Sequence, residues 1–303
     1  MGSNTLLCVV GSVDGDGSVQ VADDAAYITR LGEGIDRNGC LSDAAMHRTL
    51  SVVERAVARA REHGCDVLAL VATSAVREAS NGGRFLERVR AIVGDDVRAV
   101  SSDEEARLTF LGAEIERDRS TDRRALVFDI GGGSTEFAVG TLGAQPDWTC
   151  SVSLGSVRLS ERFGLGAPCD PRALASLDAA IAATLADVRP PEKGRLVGLA
   201  ATMTTLAALG GVDVGRSGAI VSRASIAECF RRLCDMSFAE RCSLSRLDPA
   251  RADVIVAGAA IALGVLARFE AQSTAVSMGG VRIGLLRSRW HTLVHSRATV
   301  AER

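Results

Sequence analysis

An α/β fold built by internal duplication is what this sequence predicts. Short apolar runs alternate with stretches of helical spacing along the whole chain. A small-residue turn also recurs at the head of two apolar runs, Gly2-Ser3-Asn4-Thr5 and Gly132-Gly133-Ser134-Thr135, each followed by a second hairpin. A fold repeated in this way sets two phosphate-gripping turns on opposite sides of one cleft.

The elements follow in order. Leu6–Val10 reads as a strand, Asp14-Gly15-Asp16-Gly17 as a turn and 19–30 as a second extended stretch. Ser42 caps a helix with apolar positions at Ala45, Met46, Leu50, Val53, Val57 and Ala60, ended by Gly64. Asp66–Ala72 reads as a buried strand, 73–83 as a polar loop, 85–93 as a helix and 97–100 as extended. The spacing predicts a helix over 102–117, with Ser102 and Glu105 placed as a capping box. The charged stretch 118–124 is the expected boundary between a first domain, 1–124, and a second, 125–303. In the second, strands are expected at 125–130, 137–140, 148–154, 195–199 and 274–277. Helices are expected near 157–163, 171–188, 202–209, 225–234 and 249–269, with a last one after Gly279-Gly280 that has the first domain available to pack against.

Composition narrows the function. A net charge of −2 gives no global basic field for nucleic acid, so an anionic ligand must be drawn by local arginines and backbone N–H groups. Eight cysteines without a C-x-x-C pair, and four scattered histidines, do not form a structural zinc pattern. No stretch reaches the roughly 18 apolar residues that span a bilayer, which points to a cytoplasmic protein with reduced thiols and no membrane partner.

Four segments can carry chemistry. In Asp129-Ile-Gly-Gly-Gly-Ser-Thr-Glu136, consecutive glycines let backbone approach a phosphate, and Ser134 and Thr135 add hydroxyls. Asp129, at a strand end, can hold Mg²⁺; the same glycines also suit a plain hairpin. The acidic run Asp103-Glu104-Glu105 suits either helix capping or the orientation of water. Arg77 sits in a loop after a strand, as a phosphate contact or a solvated charge. Gly198-Leu199-Ala200-Ala201-Thr202 is a further strand-to-helix turn able to face an anion.

Seven collinear segments (G-S-N-T, A-T-S-A-V-R-E-A-S-N, E-E-A-R-L-T-F-L-G, D-I-G-G-G-S-T-E-F, L-G-S-V-R-L, G-L-A-A-T and R-A-D-V-I-V-A-G-A) resemble the exopolyphosphatase/guanosine pentaphosphate phosphohydrolase family over essentially the whole chain. The resemblance implies two actin-like, ribonuclease-H-like domains with the active site in the cleft between them, and Mg²⁺-dependent removal of a terminal phosphoryl group by water. It assigns Glu105 as catalytic base or water-orienting residue, Asp129 and Glu136 to metal and water, Arg77 to phosphate, and Gly2, Ser3, Asn4, Thr5 together with Gly131, Gly132, Gly133, Ser134 and Thr135 to two phosphate loops. The implied substrate is inorganic polyphosphate, or guanosine pentaphosphate within the same family, and relatives commonly form homodimers. A single tyrosine and two tryptophans offer no aromatic-rich guanine pocket.

Two departures stand out. Family members open with a complete strand ending in aspartate, D-x-G-S-N, whereas here Met1 directly precedes Gly2. A truncated start is the expectation, because deleting a central strand leaves unpaired backbone groups costing about 1–3 kcal/mol each. The absent aspartate also favours a different class of function, a non-catalytic sensor of polyphosphate or guanosine alarmones. Ser277-Met278-Gly279-Gly280-Val281-Arg282 differs from the family's late S-x-x-G-L-R-E-G form, which leaves its contacts open. The chain resembles the short members of the family, which implies less grip on very long polyphosphate.

Overall fold

The computed structural model describes residues 1–14, 18–65, 67–94, 96–114, 123–215 and 217–289. The first half runs β1 (Thr5–Val13), β2 (Val19–Ile28), α1 (Ile35–Asn38), α2 (Asp43–Glu62), β3 (Leu70–Ala72), α3 (Ser74–Glu78), α4 (Gly82–Val93), β4 (Val97–Ala99) and α5 (Ser102–Leu111). The second opens with β5 (Arg124–Ile130), β6 (Thr135–Thr141), β7 (Trp148–Val152), α6 (Ser156–Phe163), α7 (Pro171–Leu185), β8 (Arg195–Leu199) and α8 (Ala200–Leu209). It continues with β9 (Ala219–Ser222), α9 (Arg223–Asp235), α10 (Phe238–Cys242), a 3₁₀ turn at Pro249–Arg251, α11 (Ile255–Arg268) and β10 (Ser273–Val276). A final helical segment covers 281–289. Much of the predicted boundary, and the turn glycines Gly15 and Gly17, lie outside the described residues.

In the second half one six-stranded sheet has the order β7-β6-β5-β8-β10-β9. β5 is its centre, antiparallel to β6 and parallel to β8. Both faces are covered, so the middle of each strand, 125–128 in β5 and 137–139 in β6, reads as a continuous apolar run. The helix α11 is apolar on every side, and its burial against α7 and α9 follows from that.

The first half has two separate two-stranded sheets instead of one. β1 and β2 form an antiparallel hairpin, and β3 and β4 a parallel pair. The place that β5 holds in the second half has no counterpart strand among the described residues. Only Met1 stands there: its nitrogen donates to the Val71 carbonyl at 2.7 Å, and Thr73 N–H donates to the Met1 carbonyl at 3.1 Å. These two bonds continue the ladder of β3 by one residue. α2 packs its expected apolar face under this region, capped by the Ser42 hydroxyl as predicted.

Three boundaries differ from the sequence expectation in ways that matter. α5 is capped by Ser101, whose hydroxyl accepts from Glu104 N–H, so Ser102 and Glu105 form no capping box. The loop expected at 73–83 holds α3, which carries Arg77. The helix expected at 249–269 is broken into the 3₁₀ turn and α11. Segment 281–289 rests on the first half, with Val281 and Leu285 packed against Val71, Val100 and Leu108. Arg282 pairs with Asp24 at 2.7 Å, Arg287 with Glu114, and Arg289 with Asp96.

Candidate active site

Two turns face each other across a cavity of about 400 Å³. One is Gly2–Thr5, closed by Gly2 N–H donating to the Thr5 carbonyl at 2.9 Å. The other is Gly131–Ser134, closed in the same way by Gly131 N–H to the Ser134 carbonyl at 3.0 Å. This bond equates Gly2 with Gly131, one residue earlier than the pairing suggested by the strand starts. Each turn is anchored by the chain that returns after its hairpin. Thr29 and Arg30 N–H donate to the Asn4 carbonyl, just as Val157 and Arg158 N–H donate to that of Gly132.

The turns touch closely. A Cβ on Gly133 would lie 2.2 Å from Ser74 Oγ and 2.8 Å from Ser3 Oγ, and one on Gly132 would lie 3.1 Å from Asn4 Cβ. A side chain at either position would require the Ser3, Asn4 and Ser74 side chains to give way. Asn4 is buried and lines the cavity, yet among the described residues neither its amide nitrogen nor its oxygen has a partner. An unsatisfied buried amide costs about 1–3 kcal/mol, which a polar ligand at this wall would offset.

The acidic groups are placed by strand register. Asp129 pairs with Glu136 directly across β5 and β6, so both carboxylates stand on one face of the sheet. Ile130 and Thr135 point to the opposite face. The Thr135 hydroxyl is therefore turned inward and donates to the Leu154 carbonyl at 2.6 Å, whereas Ser134 lines the cavity. Like charges opposite each other in a ladder are unfavourable, and burial adds to this. Burial, then the charge of Glu105, push Asp129 up to about 7. Glu136 is pushed well up by burial and by Glu105 and Asp129, against hydrogen bonds from Ser134 and Ser151. Ser151 Oγ donates to it at 2.9 Å.

Glu105 faces these two from the N-terminal turn of α5, only 6% exposed. Its carboxyl is raised by burial, and Arg77 opposes that rise. Arg77 Nη1 donates to Glu105 at 3.1 Å and to the Val100 carbonyl at 2.9 Å. The structure thus sets Arg77 behind Glu105, and Arg77 is not itself among the residues that line the cavity.

Other residues reach the cavity without having been assigned a role there from sequence. Arg251, in the R-A-D segment, donates to the Thr5 hydroxyl at 3.1 Å, and burial lowers its pKa. Arg282 and the turn 277–280 line the wall beside Asp129. Arg158 sits outside the cavity and fastens both halves: Nε donates to the Gly133 carbonyl, Nη1 to Asp36 and Nη2 to Glu78 at 2.5–2.7 Å. Ala200, in the predicted strand-to-helix turn, holds a φ of 63° at the cavity edge. That is a strained conformation for alanine, of the kind that clusters at functional sites.

Among the described residues, no group of three or more His, Cys, Asp or Glu side chains is placed to hold a metal ion. Asp129 and Glu136 form a pair instead. Two buried, mutually repelling carboxylates suit a cation held partly by water or by a ligand's own oxygens.

The small-residue turns and the three buried carboxylates sit on an α/β fold and form one site with both N–H donors and acidic groups. A sequence profile of the Ppx/GppA phosphatase family matches residues 9–293, and the chain belongs to that family. It is 30% identical over 295 residues to exopolyphosphatase 1 of Mycobacterium tuberculosis, covering 94% of this chain and 85% of that protein. To exopolyphosphatase 2 of the same organism it is 32% identical, covering 87% and 86%. The crystal structure of the Aquifex aeolicus member of the Ppx/GppA family superposes with a TM-score of 0.78 at 28% identity, covering 96% of each chain.

Proposed function

We propose that this protein is an exopolyphosphatase, which uses water to remove the terminal phosphoryl group of inorganic polyphosphate and releases orthophosphate. One observation carries the reading: the buried Glu105, held from behind by Arg77, shares a single cavity with the Gly131–Ser134 turn and the Asp129–Glu136 pair. The exopolyphosphatases among its relatives support it.

The roles follow from position. Backbone N–H groups of the two turns, with Ser3, Asn4 and Ser134, cradle the terminal phosphate. Arg251 and Arg282 add positive charge at the wall. Glu105 orients a water molecule toward phosphorus and takes its proton as the new P–O bond forms and the anhydride P–O bond breaks. Arg77 fixes the direction of that carboxylate. Asp129 and Glu136 would hold a divalent cation, Mg²⁺ in this reading, whose chemistry is to neutralise charge on the phosphoryl oxygens when bound. A cytoplasmic location and a homodimer belong to the same proposal. Among the described residues no helix is long and apolar enough to cross a membrane.

Phosphate release on two substrates tests the activity. Purified protein with Mg²⁺ is expected to release orthophosphate from polyphosphate faster than from guanosine pentaphosphate. A large preference for the nucleotide would reassign the substrate, and no release from either, with binding that survives removal of Mg²⁺, would support a sensor.

A second expectation concerns metal and pH. Asp129 binds its proton more tightly in the folded state, up to about 7 against an ordinary 3.8. Its contribution to stability is therefore full below pH 4 and is lost as pH rises to about 7. Linkage puts this loss on the order of 4 kcal/mol. Asp129→Asn should flatten that part of the stability–pH curve in denaturant titrations. Mg²⁺ should stabilise the wild-type protein more at pH 8 than at pH 5, where protons occupy the carboxylates. Equal stabilisation at both would argue against a metal at this pair.

A further inference from the structure

Away from the cleft, Arg241 of α10 is almost fully buried, at 1% exposure. It forms no ion pair among the described residues. Its guanidinium donates to the carbonyls of Leu233 at 2.8 Å, Gly166 at 3.1 Å and Ala252 at 3.5 Å, and to Cys169 Sγ at 3.3 Å. A buried cation without a counter-ion is costly, and of its four partners only the sulfur can become an anion. The Cys169 thiol donates to the Gly166 carbonyl at 3.2 Å and lies near enough to Cys234 to help raise that thiol. Cys169 N–H also donates to the Cys234 carbonyl at 2.9 Å. A direct backbone bond of this kind holds two Cα atoms about 5 Å apart, inside the range a disulfide spans.

We propose that Cys169 and Cys234 form a peroxide-oxidisable pair, with Cys169 as the attacking thiol and Cys234 as its resolving partner. The surroundings distinguish the two roles. Cys169 lies half-buried on the loop after α6, within reach of solvent and against the guanidinium. Cys234 is buried at the end of α9, where burial first and then Cys169 push its thiol up to about 12, so that it keeps its proton. The Cys169 thiolate attacks hydrogen peroxide; the O–O bond breaks, hydroxide leaves and a sulfenic acid forms. Cys234 sulfur then attacks the sulfenic sulfur, the S–O bond breaks, and the departing hydroxyl leaves as water with the Cys234 proton. Two thiols are oxidised to one disulfide, and one peroxide is reduced to two waters. The link would fasten the loop after α6, the helix whose first N–H groups seat the glycine turn, to the end of α9.

The test is peroxide treatment of the full chain, followed by digestion without reductant and mass spectrometry. The expected product is the Cys169–Cys234 linked peptide, appearing ahead of oxidation at the other six cysteines. In Cys234→Ser, dimedone should trap a sulfenic acid on Cys169. Arg241→Met should slow formation of the link several-fold. Oxidation of the other cysteines while this pair stays reduced would overturn the proposal, and so would linkage of Cys169 to a different cysteine. Cys234→Ser retains a side chain of similar size, so its result stands even where Arg241→Met fails to fold.

Discussion

Glu105→Gln is expected to lower phosphate release by about 10²–10⁴-fold while leaving the Michaelis constant within a few-fold of wild type. The amide has the shape of the carboxyl and can still face Arg77, so the pocket keeps its form. What is lost is the ability to accept a proton from the attacking water. Removal of the charge also acts on its neighbours, because Glu105 helps to hold both Asp129 and Glu136 above the ordinary carboxylate range. Both should titrate at lower pH in the variant, which carboxyl-resolved NMR can read. Wild-type turnover in Glu105→Gln would remove the catalytic role, and a raised Michaelis constant at unchanged turnover would make Glu105 a binding group.

The second large effect is expected at Gly155, the residue that caps α6. A Cβ there would lie 2.2 Å from the Gly132 carbonyl oxygen, 2.3 Å from Gly133 C and 2.4 Å from Gly132 C, all of them backbone atoms of the phosphate turn. No side chain can rotate to relieve that overlap, so the turn or the helix must move by several tenths of an ångström or more. Gly155→Ala should cost about 1–3 kcal/mol of stability. It should also lower kcat/KM by about 10²-fold, since displacement of a positioning element is felt strongly in catalysis. Gly83→Ala is the matched control, because a Cβ there meets nothing within 4 Å. That variant should melt at or slightly above the wild-type temperature. If Gly155→Ala retained full activity, the turn would have to be compliant, and its seating on α6 would not matter to phosphate binding.

Local signals made some of this legible in the sequence. The Asp129–Glu136 turn could be read because its glycines, strand ends and acidic flanks are contiguous and each has a local physical meaning. The cap of α2 was readable for the same reason. The cap of α5 was misplaced by one residue because adjacent serines, Ser101 and Ser102, offer equivalent hydroxyls, and only backbone geometry selects between them. That shift matters, since it leaves Glu105 free of capping and turned into the site. Arg77 could be associated with the site but not placed within it. Its partner Glu105 lies 28 positions away, and which of the two faces the ligand is decided by packing. Arg251 and Arg282 were not legible as site residues, because a lone arginine in sequence looks the same whether it lines a cleft or points to water. Thr135 was grouped with Ser134 by composition and separated from it by the alternation of β6.

The bond between the Met1 nitrogen and Val71 has a practical consequence. Met1 is buried and lines the cavity, one residue before the Gly2–Thr5 turn. An affinity tag or a fluorescent protein joined directly to this residue would begin at the wall of the cavity. A handle placed there becomes a structural perturbation as well as a label. Surface residues such as Arg231, exposed on α9 well outside the cleft, give a safer point of attachment.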